Sequence, residues 1–550
     1  MMEHKKYQYV LGIDFGTDSC RALVVDARNG KERAVGVGEY PRWKQGLYCN
    51  PKINQYRQHP LDYIESLVAA AHKAVTQLSE DERLAILGLT IDTTGSTPAL
   101  TDEEGQPLAL SSRYAEDPDA MFMLWKDHTA VKEAEEINDL IKQQKLCYNQ
   151  YSGGTYSSEW VWAKVLHVLK KETAVGQDAY SWVEHCDWMS GLLTGKLKPE
   201  LMIRSRCAAG HKAMWHESWG LPSESFLSQL HDRLGKMKAH LYHDTFTCDK
   251  KAGTLTVEWA DQLGLPAGIS VGVGAIDAHM GAVGASVAPG VFVSIIGTST
   301  CDIMVSSKEE LKTPCLQGIS SQVDGSVLPG YIGIEAGQAA FGDIFAWFKS
   351  ILSWALPLMS DQADANAISK LILNKLSDEA AKIEPQVNSL VALDWMNGRR
   401  TPDANQNLKG MIANITLGCS APELYRSLIE STAFGLKRII EHMRAQGLNI
   451  HTMNAVGGIS KKSPLVMQIL ADVTEMPIQV IQSENACALG SAMFAAVVAG
   501  IYPSIEEAER YMKSAIEKEY IPDEKMKPIY NHLYQKYLLL GKTAEQLIQQ

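Results

Sequence analysis

The stretch VLGIDFGTDSCRALVVD, residues 10–26, places an acid, two glycines and a run of small hydroxyl and carboxyl side chains between two apolar segments. Val10, Leu11 and Ile13 lead into Asp14, the turn Gly16-Thr17-Asp18-Ser19 follows, and residues 22–25 resume the apolar run. That is the pattern of strand, tight turn and strand. An ordinary hairpin needs only Gly or Asn at its tip. Asp14, at the end of a strand that should be buried, would be costly unless something pairs with it. A metal ion or phosphate-bound magnesium is such a partner, and an unremarkable turn is the competing reading.

Asn29-Gly30 is a second two-residue turn signal before the apolar pattern of residues 33–40, so three antiparallel strands open the chain. Leu61, Ile64, Leu67, Val68, Val75 and Leu78 recur at helical spacing, and residues 84–91 read as a buried strand ending in DTTGSTP. The middle carries Trp125, Trp160, Trp162, Trp182, Trp188, Trp215 and Trp219 among helical patterns, with no clear linker. It reads as insertions on a lobe.

At Ser294 the opening plan returns in SIIGTSTCDIMVS. Gly16-Thr17-x-Ser19-Cys20 and Gly297-Thr298-x-Thr300-Cys301 align without a gap, each between apolar strands. Downstream, residues 422–444 form a long helical pattern, 453–456 a strand, 463–473 a helix, 478–481 a strand and 487–499 a helix. A duplicated α/β lobe, with both hairpin tips facing one cleft, accounts for this order. The expected division is 1–280 and 281–550.

The 550 residues carry a formal net charge of −12 and 45% hydrophobic residues, so two large cores are expected and no basic run offers a nucleic-acid or membrane surface. Ten cysteines are scattered without C-x-x-C or zinc spacing, which argues for reduced thiols. MMEHKKYQYV has no apolar signal core, and the most apolar segments, 271–296 and 486–501, are broken by glycine or ionisable residues. A cytoplasmic protein is expected, with a homodimer as its assembly.

Two small-residue hairpin tips offer backbone N–H groups and hydroxyls to a phosphate chain without a P-loop. Gly541-Lys542-Thr543 lacks the upstream glycine of that motif. In VGVGAIDAHMGAVGA, Asp277 and His279 sit among small residues just before the second hairpin, and Asp277 reads either as a turn aspartate or as a catalytic acid with access to substrate. AVGGISKKSP ends a strand and opens a helix, and Gly457 and Gly458 leave room for a ring or ribose to approach the backbone.

Together these residues resemble the FGGY carbohydrate kinase family, within the two-lobed, actin-like (ribonuclease H-like) α/β ATPase fold, over nearly the whole chain. Residues 12–17, GIDFGT, look like its first phosphate motif, Gly297-Thr298-Ser299 its second, and Gly457-Gly458-Ile459-Ser460 with Gln468 and Ala471-Asp472 its adenosine motif. DWMSGLLTGKL from Asp187 is a further hallmark, read as structural. Residues 410–430 are similar to the second family signature, with Asn414 where glycine is usual and the Glu423, Leu424, Ser427 and Glu430 spacing kept.

The resemblance implies ATP and Mg2+ as cofactors, Asp14 at the metal, Gly16, Thr17, Asp18 and Ser19 with the second and third motifs around the nucleotide, and Asp277 as general base. LWKDHTA from Leu124, DTTGSTP from Asp92 and AAGHKAMWH from Ala208 are most similar to the kinases of ketopentoses. They imply sugar contacts for Ser96, Asp127, Lys212 and Glu335. Two rival readings stay open: a kinase of another pentulose or pentitol, and an actin- or chaperone-like ATPase whose nucleotide drives assembly.

Overall fold

The computed structural model describes residues 7–359 and 361–548, so the first six residues of the opening segment lie outside it. The chain forms two compact units. The first comprises residues 1–286, 321–333 and 485–514, and the second 287–320, 334–484 and 515–550. The sequence leads one to expect a single division near residue 280. The structure instead returns two later segments to the first unit.

In the first unit the strands run in the order Lys251–Thr254, Ser270–Gly272, Ile86–Thr93, Tyr9–Phe15, Ser19–Asp26, Glu32–Glu39, with the short strand Ala275–Ile276 also on Ile86–Thr93. Tyr9–Phe15 is antiparallel to Ser19–Asp26 and parallel to Ile86–Thr93. All seven residues of Tyr9–Phe15 are buried, as expected for a central strand covered on both faces. One cover is the helix Ala486–Val498. A side chain at Gly12 would stand 1.8 Å from the Ala488 carbonyl oxygen, so this strand and this helix meet only because position 12 has none.

The second unit repeats the plan. Val291–Ile296 pairs antiparallel with Thr300–Ser306 and parallel with Thr452–Val456, which is itself parallel to Ile478–Ile481. Both sheets then end on an antiparallel strand, Lys251–Thr254 in one and Ile516–Tyr520 in the other. The outer strand precedes its neighbour along the chain in the first unit and follows it in the second.

The two hairpins are not superimposable residue for residue. Phe15 pairs with Cys20, but Ile296 pairs with Thr300 and Ile295 with Cys301. Gly16 N–H donates to the Ser19 carbonyl at 3.0 Å, whereas Gly297 N–H donates to the Ser299 carbonyl at 3.0 Å. The second turn is one residue tighter, a difference the gapless sequence alignment does not show.

Candidate active site

The register of the first sheet explains which acids meet. Asp14 lies beside Asp92 on the parallel neighbour, and Asp92 lies beside Ala275, two residues before Asp277 opens the helix Asp277–Gly284. All three acids thus sit at the carboxyl ends of adjacent parallel strands, where open α/β sheets bind ligands. Ligand atoms of Asp14, Asp92 and Cys487 lie within 4.8 Å of one another.

Burial raises the Asp14 carboxyl, opposed by Arg21, whose Nη1 donates to Asp14 Oδ2 at 3.1 Å across the hairpin. Asp92 is pushed well above the carboxylate range by burial first, and then by the charges of Asp14 and Asp277. Its Oδ2 accepts from Ser491 Oγ at 2.6 Å, while the buried Oδ1 has no donor among the described residues. Burial and the same three acids hold Cys487 as a thiol. Two hard carboxylates crowded together, one with an unsatisfied buried oxygen, suit a hard divalent cation. Sequence reasoning placed only Asp14 here. The DTTG segment carries the second acid, and the strand register is what brings it beside Asp14.

The tip of the first hairpin is clamped from outside. Trp125 Nε1 donates to Thr17 Oγ1 at 3.0 Å, Trp43 Nε1 to Asp18 Oδ1 at 2.8 Å, and Tyr40 Oη to the Gly16 carbonyl at 3.0 Å. A Cβ at Gly16 would meet nothing nearer than 3.6 Å, and neither Gly16 nor Ser19 has a positive φ. Neither packing nor backbone strain explains that glycine. An approaching ligand would.

The second unit shows the same signature twice. A Cβ at Gly297 has its nearest neighbour at 3.8 Å, and one at Gly458 has none within 4 Å. Gly457 differs: its φ is +103° and its missing Cβ faces the Ile296 carbonyl oxygen at 2.4 Å, so it seats the turn against the hairpin strand. Ser460 Oγ donates to the Gly457 carbonyl at 2.7 Å, which makes Ser460 a brace of this turn. The Thr298 carbonyl accepts from the N–H groups of Phe341 at 2.8 Å and Asp343 at 3.1 Å, fixing the start of the helix Gly342–Ser353. That helix walls a cavity of about 460 Å³, lined by Asp343, Ile344, Trp347, Met396, Asn397 and Met411 among others.

The expected sugar contacts divide. Lys212 ends the helix Arg206–Lys212, is buried, and holds its Nζ 5.5 Å from the Trp160 ring centroid, so it is no solvated lysine. Glu335 lies in the strand Ile332–Ala336 and is buried. Asp277 is half-buried and its Oδ1 accepts from Ala278 N–H at 2.7 Å.

Asp127 is different. The fully buried guanidinium of Arg57 pairs with Asp127 Oδ2, the Tyr56 N–H donates to the same oxygen, and Thr129 takes Oδ1 through its N–H and its hydroxyl. A buried cation requires such a partner. These bonds give Asp127 a role in shaping the loop that carries Trp125, beside the sugar contact that the resemblance implies for it.

Ser96 is held as firmly. Its Oγ donates to Glu184 Oε1 at 2.5 Å and Thr97 N–H donates to Glu184 Oε2 at 2.9 Å. The buried Lys164 donates to the carbonyls of Ser96 at 2.9 Å, Leu124 at 2.7 Å and Met123 at 3.3 Å. Burial lowers Lys164 to about 8, although Asp127 and Glu184 oppose it. One ammonium thus ties the Ser96 turn to the Trp125 loop.

The model of the N-terminal domain of the FGGY family of carbohydrate kinases matches residues 9–284, and that of its C-terminal domain residues 292–499. The chain belongs to the FGGY family of carbohydrate kinases. FGGY relatives with assigned names agree along the whole length. A ribulokinase of Vibrio parahaemolyticus is 44% identical over 547 residues, 98% of this chain and 96% of that protein. A ribulokinase of Halalkalibacterium halodurans is 37% identical, covering 97% and 94%. Among solved FGGY-like folds, a xylulose kinase from Rhodospirillum rubrum matches with a TM-score of 0.76 at 20% identity, over 99% of this chain and all of that one. A Plasmodium falciparum glycerol kinase with ADP matches with a TM-score of 0.73 at 16% identity, covering 97% and 98%. These show that the chain has the fold of those solved sugar kinases. No helix among the described residues is long and apolar enough to cross a membrane.

Proposed function

We propose that this FGGY kinase transfers the γ-phosphoryl group of ATP to the terminal hydroxyl of a ketopentose, L-ribulose foremost. The observation that carries the chemistry is the convergence of Asp14, Asp92 and Asp277 on neighbouring strand ends. The ribulokinase relatives supply the choice of sugar.

Phosphoryl transfer asks a protein mainly to position and to neutralise charge. Asp277 receives the hydroxyl proton, the sugar oxygen forms its bond to the γ-phosphorus, and the bond to the ADP oxygen breaks. Asp14 and Asp92 would hold magnesium, which when bound neutralises phosphate charge. The open backbone at Gly16 admits phosphate oxygens in the first unit. In the second unit Gly297 and Gly458 give the nucleotide the same close approach, and the cavity beside Trp347 takes the adenine, with Asp343 and Asn397 as its polar groups. Lys212 and Glu335 bind sugar hydroxyls, and Ser96 shapes the pocket through its backbone.

ADP release measured with a panel of pentuloses and pentitols tests this reading. L-Ribulose should give the highest kcat/KM, and ADP release without sugar should be negligible. Rapid hydrolysis without sugar would favour an actin-like ATPase that couples its nucleotide to assembly. A higher kcat/KM for xylulose or ribitol would move the substrate within the family.

A further inference from the structure

Cys207, His211 and His279 form a buried cluster that phosphoryl transfer does not use. Cys207 and His211 are four residues apart on the helix Arg206–Lys212 and so share a face. His279 is the third residue of the helix Asp277–Gly284, and its ring centroid lies 4.3 Å from that of His211. One ligand atom from each of the three residues lies within 4.8 Å of the other two. All three residues are at most 1% exposed.

The protonation of His211 can be read from its neighbours. Ser326 Oγ is 2.8 Å from His211 Nε2 and donates its one hydrogen to the Val323 carbonyl at 3.0 Å. Ser326 therefore accepts from Nε2–H, and the lone pair of a neutral imidazole lies on Nδ1, 2.5 Å from Ser321 Oγ. Burial, reinforced by His279 and Lys212, holds His211 well below the usual histidine range. Neutral imidazole is the ligand form. Whichever nitrogen takes a metal, a serine hydroxyl remains on the other to orient the ring, as outer-shell partners do in metal sites.

We infer that Cys207, His211 and His279 form a binding site for a thiophilic divalent cation of the zinc class. One thiolate and two imidazoles are a soft-to-borderline set that suits zinc and disfavours magnesium, the opposite of the Asp14–Asp92 pair. Zinc bonds of about 2.0–2.3 Å place the nitrogen and sulfur ligand atoms of a tetrahedron about 3.3–3.6 Å apart, so closure by at most about 1.5 Å completes three of four positions. His211 adjoins Lys212, and His279 is two residues past Asp277, so the ion would brace the two helices that carry those groups. The burial of the cluster means that the ion enters as the unit folds or loosens.

The test uses the full chain, stripped with chelator and loaded with one equivalent of cobalt(II) during refolding, and reads absorption. One cobalt per chain with a thiolate charge-transfer band is expected. Cys207→Ser should refold with an unchanged circular dichroism spectrum and lose the band, His279→Asn should weaken binding about 10-fold or more, and Cys147→Ser, at an exposed thiol, should change nothing. Absence of the band in the unmodified chain would overturn the assignment, as would its survival in Cys207→Ser or unaltered affinity in His279→Asn. None of these readouts depends on kinase activity.

Discussion

Ser491 Oγ donates a 2.6 Å hydrogen bond to Asp92 Oδ2, joining side chains 399 positions apart in sequence. This bond favours the ionised carboxylate against burial and the charges of Asp14 and Asp277. Ser491→Ala removes it, so Asp92 should ionise only at still higher pH. A hydrogen bond to a charged group contributes roughly 1.5–3 kcal/mol, so the magnesium concentration for half-maximal rate should rise about tenfold or more, with sugar KM little changed. Rate titrations against magnesium at several pH values check this, and a shifted sugar KM at constant metal dependence would refute it.

Asp277→Asn should keep ATP and sugar binding while kcat falls about 10²–10⁴-fold, because the amide cannot take the hydroxyl proton. Asp14→Asn offers the contrast, with a defect that raised magnesium partly relieves. Calorimetric affinities beside turnover separate the two. Metal rescue of Asp277→Asn would reassign that acid to the metal.

For Lys212→Ala the loss should appear in kcat/KM for sugar, by tenfold or more, with ATP affinity unchanged. The buried ammonium beside Trp160 can give sugar hydroxyls charge-assisted hydrogen bonds of roughly 1.5–3 kcal/mol each. Wild-type kinetics with L-ribulose would remove Lys212 from the sugar site.

Lys164→Met takes a hydrogen-bond donor from the buried carbonyls of Ser96, Met123 and Leu124, of which Leu124 keeps the Asp127 N–H at 2.9 Å. Each unsatisfied group costs roughly 1–3 kcal/mol, so thermal stability should fall and sugar KM should rise more than ATP KM as the Ser96 turn and the Trp125 loop separate. Equal changes in both KM values would mean that the lysine serves stability alone.

The hallmark acid Asp187 gives a pH signature. Burial raises it to about 7, against Arg204 and the Ser205 N–H that donates to its Oδ1 at 2.8 Å. A raised carboxyl binds its proton more tightly in the folded chain than in the unfolded one. Its stabilising contribution is thus complete below pH about 4 and is lost as pH rises through about 7, at up to about 1.4 kcal/mol per unit. Unfolding midpoints of the unmodified chain and Asp187→Asn, compared at pH 5 and pH 8, should diverge in the variant's favour at the higher pH. A constant difference would show that Asp187 stays ionised throughout.

Local pattern carried much of the architecture into the sequence. The strand Ile478–Ile481 falls where four apolar-rich residues predict it, and the helix Ala421–Ala445 begins at a capping box of Ser420 and Glu423 before the long periodic run. Partners distant in sequence were not legible. Nothing near Asp127 points to Arg57, nothing near Asp92 points to Ser491, and the tighter turn at Gly297 follows from strand pairing that the similar turn residues conceal. Glycine carried two opposite meanings. Gly12 is required because a backbone oxygen fills its side-chain position, whereas nothing fills that of Gly458, and the letters alone do not distinguish them.

The return of residues 485–514 to the first unit has a consequence for synthesis. When a ribosome has finished residue 286, the face of Tyr9–Phe15 that takes the Ala488 backbone is still bare, and Asp92 still lacks Ser491. At about 5–20 residues per second the nascent chain waits roughly 10–40 s for that helix to be made. Apolar strands left uncovered for so long are the surfaces that holdase chaperones shield. A premature stop anywhere before residue 485 would leave not one intact unit but none.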